Sequence, residues 1–221
     1  MSKKGKDGGV LSVVKDTLAL VLITLAAAVL LGFVREVTAE PIAKREEQDK
    51  QNAYLAVFET ASSVTESKDV PELAAALALS AQVLTEEYNK AVTVDEVCLA
   101  KDEAGNTVGY IITVTDKKGY GGAVQMVFGY SLDGVVTGIE FLVLNETAGF
   151  GLEAEKNPEW RKQFIGVAAD SFTVTKTGAG ADGEIDALSG ATRTSNAVTQ
   201  GINGGLLFAK YLAEQGIGGA K

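Results

Sequence analysis

The chain opens with a long apolar run that differs from everything after it. Residues 17–34 carry no charged side chain and are almost wholly apolar. Eighteen residues at the rise of an α-helix span about 27 Å, close to the thickness of the hydrocarbon core of a bilayer. This length predicts a single transmembrane helix. The alternative is a signal peptide that is removed after Ala39, where Val37-Thr38-Ala39 offers a cleavage site.

A helical stalk is predicted behind the apolar run, over residues 35–88. Pro41 suits the first turn of a helix, and Glu46 and Lys50 are spaced as an i,i+4 ion pair. A second helix is predicted to begin at Pro71. Its apolar part is Ala-rich and too short to cross a bilayer, so it is expected to pack on the protein.

Beyond residue 89 apolar and polar positions alternate, which is the pattern of β-strands. Four strands are predicted, at residues 92–100, 108–115, 123–131 and 135–144. Turn sequences such as Asp133-Gly134 separate them, so the strands are expected to form an antiparallel sheet and not a nucleotide-binding βαβ fold. A short helix at Asn157, a strand at 172–176 and a last helix at 194–214 complete an α+β fold.

Composition narrows the chemistry that the chain can perform. It has 20 Lys and Arg against 29 Asp and Glu, a net charge of -9, and this acidity argues against nucleic acid as a partner. There is no histidine and one cysteine, Cys98, so the usual zinc, haem and iron–sulfur ligand sets are missing and no metal site is expected. Cys98 lies in an apolar run and is predicted to be buried. Redox chemistry would therefore need an organic cofactor.

The segment 186–195 carries the first candidate site. Small residues at 189–191 let the backbone come close to a ligand, and the last helix begins directly after them. Free N–H groups and the helix dipole favour a phosphate at that point, with the hydroxyls of Thr192 and Thr194 beside it. The alternative is structural, with Thr194 or Ser195 acting only as a helix cap.

This segment resembles the flavinylation motif D-x-x-S/T-G-A-T/S of the FMN-binding domain family. The matching positions are Asp186, Ser189, Gly190, Ala191 and Thr192. In that family FMN is esterified through its phosphate to the last residue of the motif, which implies a covalent bond to Thr192. Asp186 is expected to act while the flavin is installed, with a transient Mg²⁺ on its carboxylate. The alternative for Asp186 is a carboxylate that only favours the helix dipole.

A second set of segments resembles the G subunits of Rnf complexes and the related C subunits of sodium-pumping NADH:quinone reductases. These segments are Gly119-Tyr120-Gly121-Gly122, Gly138-Ile139-Glu140, Asn145-Glu146-Thr147-Ala148-Gly149-Phe150-Gly151 and the pair Trp160 and Phe164. The third usually reads N/H-x-E-T-P-G-L-G in that group. Here Ala148 replaces the common Pro and Phe150 the common Leu, which implies a looser backbone and a larger side chain at the flavin.

The resemblance also implies which residues contact the cofactor. They are Glu146, Thr147, Gly149, Phe150, Ser189, Gly190, Ala191 and Thr194. Glu146 and Thr147 are expected near the flavin ring or its ribityl chain. The alternative for Glu146 is a solvated loop carboxylate.

The function implied by the resemblance is electron relay through covalent FMN in an ion-pumping ferredoxin:NAD oxidoreductase complex, which couples to Na⁺ or H⁺. The chain is not expected to be catalytic alone. The implied partners are the A, B, C, D and E types of Rnf protein, a flavin transferase and membrane lipid. The alternatives are the C-type component of the quinone reductase, an anchored module that binds a phosphorylated ligand outside the cytoplasm, and a stand-alone flavoprotein reductase.

The predicted layout follows the chain from the membrane outward. It comprises a cytoplasmic N-terminus (1–16), a transmembrane helix (17–34), a helical stalk (35–88), an FMN-binding domain (89–214) and a flexible tail (215–221). Lys3, Lys4 and Lys6 favour an N-terminus inside the cytoplasmic membrane, although Arg35 and Lys44 beyond the apolar run nearly balance them. The FMN domain is then expected on the extracytoplasmic face.

Overall fold

The structure of the protein is a computed structural model that describes residues 7–219. The described chain divides into two units, with the boundary between Gln48 and Asp49. Lys3, Lys4 and Lys6, on which the predicted orientation depends, lie outside the described residues, as does the end of the predicted tail.

The predicted apolar N-terminal helix is confirmed as part of α1, Asp7–Ala56. Within the described residues it is the one helix long and apolar enough to cross a membrane. Its apolar side chains are exposed in the chain by itself; Leu31, for example, is 71 % exposed. Pro41 does not begin a new helix as predicted but lies inside α1. A proline removes one main-chain hydrogen bond, and the helix-forming residues on both sides carry the helix past it.

The second unit contains one large sheet, one small sheet and several helices. Its elements are β1 (Ser63–Glu66), α2 (Pro71–Ala78), α3 (Ser80–Val83), α4 (Glu86–Asn89), β2 (Val92–Lys101), β3 (Thr107–Asp116), β4 (Val124–Ser131), β5 (Val136–Leu144), α5 (Glu153–Lys156), α6 (Pro158–Arg161), β6 (Thr173–Thr175), β7 (Glu184–Asp186) and α7 (Thr192–Glu214). Short 3₁₀ turns cover Ser67–Asp69 and Ile217–Gly219.

The large sheet has the strand order β1-β2-β3-β4-β5, and each neighbouring pair is antiparallel. Its four long strands confirm the four strands and the antiparallel sheet predicted from alternation. A row of buried apolar residues crosses the sheet because Val97 pairs with Ile112, Ile112 with Phe128, and Phe128 with Ile139. This row forms the inner face on which α7 packs.

Part of the predicted helical stalk is instead a strand. Val64 of β1 pairs with Ala100 of β2, since the β-branched residues of β1 suit an edge position and satisfy the free side of β2. The single helix predicted from Pro71 is divided into α2, α3 and α4. Leu84 and Thr85 interrupt it with extended backbone, and burial of Leu84 in the core offsets the lost helical bonds.

Both faces of the large sheet are covered. On the inner face α7 buries Ile202 and Leu206. On the outer face a separate core contains Tyr54 and Phe58, from the end of α1 and the residues after it, together with Cys98. Burial raises the pKa of the Cys98 thiol to about 12, so Cys98 is a protonated core residue, as its apolar surroundings predict.

A row of glycines in β3, β4 and β5 makes room for the outer core. A Cβ atom on Gly109 would overlap the ring of Phe58, and one on Gly129 would lie 2.5 Å from the carbonyl oxygen of Val57. On Gly138 it would lie 2.7 Å from the Cα atom of Val57. The chain that follows α1 therefore sits directly on the sheet backbone at positions without side chains.

Two features of the C-terminal part differ from the sequence prediction. Val174 of β6 pairs in parallel with Ile185 of β7, and the sequence predicted only the first of these strands. Residues 215–219 also do not behave as a free tail, because Tyr110 donates a 2.6 Å hydrogen bond to the carbonyl oxygen of Ile217. Ile217 itself packs against the inner core.

The glycine row generates a stability prediction. Gly138→Ala should lower the free energy of unfolding by about 1–3 kcal/mol, because the new methyl group meets backbone that cannot move aside. Denaturant unfolding of the full chain in detergent, followed by the emission of the buried Trp160, measures the change.

Gly180→Ala is the matched control, since its nearest neighbour would be Glu184 Oε2 at 3.8 Å. That variant should stay within about 0.5 kcal/mol of the original chain. Equal stability of the two alanine variants would contradict the close seating of Val57.

Candidate functional site

The N-terminus of α7 is fastened to the loop before it by Ser195. The Ser195 hydroxyl donates a 3.1 Å hydrogen bond to the carbonyl oxygen of Ala191 and accepts a 2.9 Å bond from the N–H of Leu188. Gly190 has a φ of 71°, and a Cβ atom there would lie 2.8 Å from the ring of Phe150. Ser195 therefore meets the structural alternative raised above, whereas Thr194 makes no cap bond.

Glu146 fastens a second loop, residues 117–122, to the same end of the molecule. Its carboxylate accepts a 2.8 Å hydrogen bond from the N–H of Tyr120 and a 3.2 Å bond from that of Gly121. A Cβ atom on Gly121 would collide with the carbonyl oxygen of Asn145. Glu146 is therefore a bonded, half-buried group that fixes the 117–122 loop, and not a solvated loop carboxylate.

A cavity of about 280 Å³ lies where these loops meet α7. It is lined by Tyr120, Glu146, Thr147, Phe150, Gly151, Gly190, Ala191, Arg193 and Thr194. Phe150 and Tyr120 are 51 % and 70 % exposed, so two aromatic side chains stand at an open site. Apolar lining with a few polar groups is the usual construction of a small-molecule site.

Thr194 gives this cavity an unsatisfied polar group. Its side chain lines the cavity, the residue is 1 % exposed, and its Oγ1 atom has no hydrogen-bond partner among the described residues. A Cβ atom on Gly151 would lie 2.6 Å from Thr194 Oγ1 and 2.8 Å from Glu146 Oε2, so only glycine fits between them. A buried hydroxyl without a partner is costly, and a bound polar ligand would remove that cost.

Thr192 faces a different space. It is the first residue of α7, is half-buried, and lines an adjoining open groove of about 520 Å³. The other lining residues are Lys118, Arg193, Asn196, Ala197 and Gln200. Arg193 lines both spaces, so the cationic groove at Thr192 and the aromatic cavity are neighbours.

The sequence around these two spaces is shared with known proteins. Residues 119–206 match the family described as the FMN-binding domain. The G protein component of the Na(+)-translocating ferredoxin:NAD(+) oxidoreductase complex of Acetobacterium woodii is 34 % identical over 195 residues, which cover 86 % of this chain and 88 % of that protein. The chain belongs to the family of these G subunits.

Other relatives of this G-subunit family member share shorter stretches. The G component of the proton-translocating ferredoxin:NAD(+) oxidoreductase complex of Clostridium ljungdahlii is 37 % identical, over 47 % of this chain and 54 % of that protein. The C component of the Na(+)-translocating NADH-quinone reductase of Pasteurella multocida is 33 % identical, over 69 % and 58 %. The predicted resemblance to both groups is confirmed.

A solved structure supports the fold of the G-subunit family. NqrC of Shewanella oneidensis superimposes with a TM-score of 0.52 at 14 % identity, over 77 % of this chain and 99 % of that chain. At this identity the likeness concerns the fold alone, and it agrees with the predicted α+β class.

The structure brings together most of the residues that the family resemblance singled out. Those that line the aromatic cavity are Glu146, Thr147, Phe150, Gly190, Ala191 and Thr194. Gly149 and Ser189 lie in the same two loops but outside this lining. These features fit FMN, because an apolar ring system suits the cavity and a phosphate suits the cationic groove.

Asp186 has a partner that neither interpretation of the sequence foresaw. One oxygen of its carboxylate accepts a 2.7 Å hydrogen bond from the N–H of Ala179 and so ties down the Gly-rich loop. The Asp186 N–H donates to Gln163 and its carbonyl accepts from Trp160 Nε1, each at 2.7 Å. Across residues 7–219 no group of three or more Cys, Asp and Glu side chains could hold a metal ion.

The Trp160 and Phe164 pair belongs to the core. The two rings meet edge to face at 5.4 Å, and Phe164 meets Phe172 in the same way at 5.0 Å. Neither ring lines the cavity or the groove, so the pair positions β7 through the bond to Asp186.

Sequence reasoning missed the two cations of the groove and the role of Tyr120 in the cavity. Arg193 lies inside the recognised motif, and a basic residue in the first turn of a helix was the available signal, since the helix dipole disfavours a cation there. Lys118 precedes the glycine-rich segment that contains Tyr120. Only the fold reveals that its loop meets α7.

Proposed function

We propose that this protein is a membrane-anchored flavoprotein subunit that relays electrons through FMN bonded by its phosphate to Thr192, within an ion-pumping ferredoxin:NAD oxidoreductase (Rnf) complex. The observation that carries the proposal is the adjacency of a cationic groove at Thr192 and an aromatic cavity, which share Arg193. A single ligand with a phosphate and a flat ring would occupy both spaces.

The chain supplies attachment and surroundings, and FMN supplies the electron chemistry when it is bound. The Thr192 hydroxyl lies at the N-terminus of a 23-residue helix, where the dipole stabilises an anion. The buried Thr194 hydroxyl offers a hydrogen bond inside the cavity, and Phe150 and Tyr120 offer aromatic surfaces. Glu146 holds the loop that carries Tyr120, so its role is to keep this wall in place.

The coverage of the relatives favours the G-type role over the C-type role. The chain spans 88 % of the Acetobacterium woodii G protein but 58 % of the Pasteurella multocida C protein. The pumped ion in this proposal is Na⁺ or H⁺, the two ions in the names of the G-type relatives.

The proposed partners are the A, B, C, D and E types of Rnf protein, together with a flavin transferase that installs FMN and the lipid around residues 17–34. Support comes from the relatives, which are named as parts of complexes, and from the exposed apolar surface of α1. Such a surface is stable beside lipid or other membrane proteins. Asp186, with a transient Mg²⁺, is proposed to act in flavin installation.

The proposed location is the cytoplasmic membrane, with the N-terminus inside and the FMN domain on the extracytoplasmic face. The basic cluster at Lys3, Lys4 and Lys6 supports this orientation. In this arrangement residues 17–34 span the bilayer once and keep the flavin near the other carriers.

The attachment site can be tested directly. Thr192→Ala, expressed with the flavin transferase, should lose all covalent flavin because the bonded oxygen is gone, whereas Thr192→Ser should retain some. Flavin fluorescence in a gel after SDS treatment measures both. Thr85→Ala is the control, since Thr85 is another threonine that precedes a helix without a cap bond. Fluorescence that survives in Thr192→Ala would refute the assignment and make Thr194 the next candidate.

The orientation generates a separate prediction. A reporter that is active only outside the cytoplasm should be active when fused after Lys221 and silent when fused at the N-terminus. The opposite pattern would put the FMN domain inside the cell. N-terminal sequencing that starts at Glu40 would mean that the apolar run is a removed signal peptide and would exclude the retained anchor.

A further inference from the structure

Arg193 is a cation without a carboxylate partner at the centre of the site. It lines both the aromatic cavity and the groove of Thr192, and it is exposed. None of the ion pairs among residues 7–219 involves it. In a chain of net charge -9, such a basic side chain beside a helix N-terminus calls for an anionic ligand.

The Arg193 side chain is nevertheless held in place. Its Nε atom donates a 3.0 Å hydrogen bond to the carbonyl oxygen of Lys118. A guanidinium group has five N–H donors, and this bond uses one of them. The four donors on its terminal nitrogens are left for a ligand, and the pair of terminal nitrogens suits two oxygens of a phosphate.

The peptide that holds Arg193 is itself fixed by a buried carboxylate. Asp116 is fully buried, and its Oδ1 atom accepts a 2.6 Å hydrogen bond from the N–H of Lys118. Asp116 therefore acts on Arg193 through a single residue, whose N–H and carbonyl groups are both engaged. Glu146 secures the other end of the same loop at Tyr120 and Gly121.

The remaining lining of the groove is chemically consistent with a phosphate. Lys118 adds a second cation, and the side chains of Asn196 and Gln200 add amide donors. Among the described residues, none that lines the groove is a carboxylate. Thr192, the proposed point of attachment, lies next to Arg193 in the same lining.

We propose that Arg193, assisted by Lys118, binds the phosphate bonded to Thr192, and that Asp116 is the positioning residue that holds the Lys118 peptide under Arg193. The inference rests on the proposed function, because it takes the group on Thr192 to be the phosphate of FMN. It assigns to the chain a phosphate contact outside the matched motif positions, at the point where the groove meets the cavity.

The test compares two free flavins that differ only in phosphate. The full chain is produced without the flavin transferase, and its affinities for FMN and riboflavin are measured in detergent by quenching of flavin fluorescence. The unsubstituted chain should bind FMN at least about tenfold more tightly than riboflavin, as expected for a charge-assisted hydrogen bond. Arg193→Gln should remove most of this preference and leave the riboflavin affinity unchanged, since only the phosphate contact is lost.

Three further variants separate phosphate binding from general charge and from folding. Lys117→Gln removes the same charge from an exposed neighbour that lines neither space, and it should keep the full preference. Asp116→Ala should reduce the preference although Arg193 is present. Asp116→Asn should restore it, because an amide oxygen can still accept the Lys118 N–H. The emission of Trp160 checks that each variant is folded.

An unchanged preference in Arg193→Gln, an equal loss in Lys117→Gln, or equal binding of FMN and riboflavin by the original chain would each overturn the inference. A parallel sample produced with the transferase is digested, and the peptide that contains Thr192 is weighed. If that peptide carries FMN while Arg193→Gln keeps the preference, the inference about Arg193 fails and the proposed function stands. If the peptide carries no FMN, the proposed function itself fails.

Discussion

The close approach of α7 to the large sheet is the constraint on which the site depends. A Cβ atom on Gly205 would overlap the ring of Phe128, and one on Gly201 would lie 2.8 Å from Met126 Cε. These two glycines lie one turn apart on the buried face of the helix, so α7 can pack almost directly on the side chains of β4. Because the helix is fixed there, its N-terminus is delivered to the loops that follow β3 and β5.

The polar residues around the site mainly fasten backbone, and this explains how short loops can form defined walls. Glu146, Asp116 and Ser195 each bind main-chain N–H groups of a loop that meets α7. Burial raises the pKa of Asp116, so its charged form lowers stability at neutral pH, and the fold accepts this cost to fix one peptide. With these groups engaged, Thr194 and Arg193 are left with unused hydrogen-bonding capacity.

Local pattern predicted the parts of the fold that depend on neighbours along the chain. Alternation identified β2 to β5, and the motif around Thr192 identified the start of α7. The pattern could not reveal β1, because four residues pair only with the edge of a distant strand. It also could not reveal that Lys118 lies beside α7, since that contact joins residues 75 positions apart. Likewise Asp186 was assigned to chemistry because its bond to the N–H of Ala179 exists only in the folded loop.

The claim that FMN on Thr192 is a link in a series of electron carriers is tested most directly in the assembled complex. Ferredoxin-dependent reduction of NAD and the accompanying ion gradient are measured together in membranes that contain either the original chain or Thr192→Ala, at equal amounts of assembled complex. The account predicts that both activities disappear together in Thr192→Ala and that Thr192→Ser restores them in proportion to its bound flavin. Coupled electron flow that persists without covalent flavin would contradict the account.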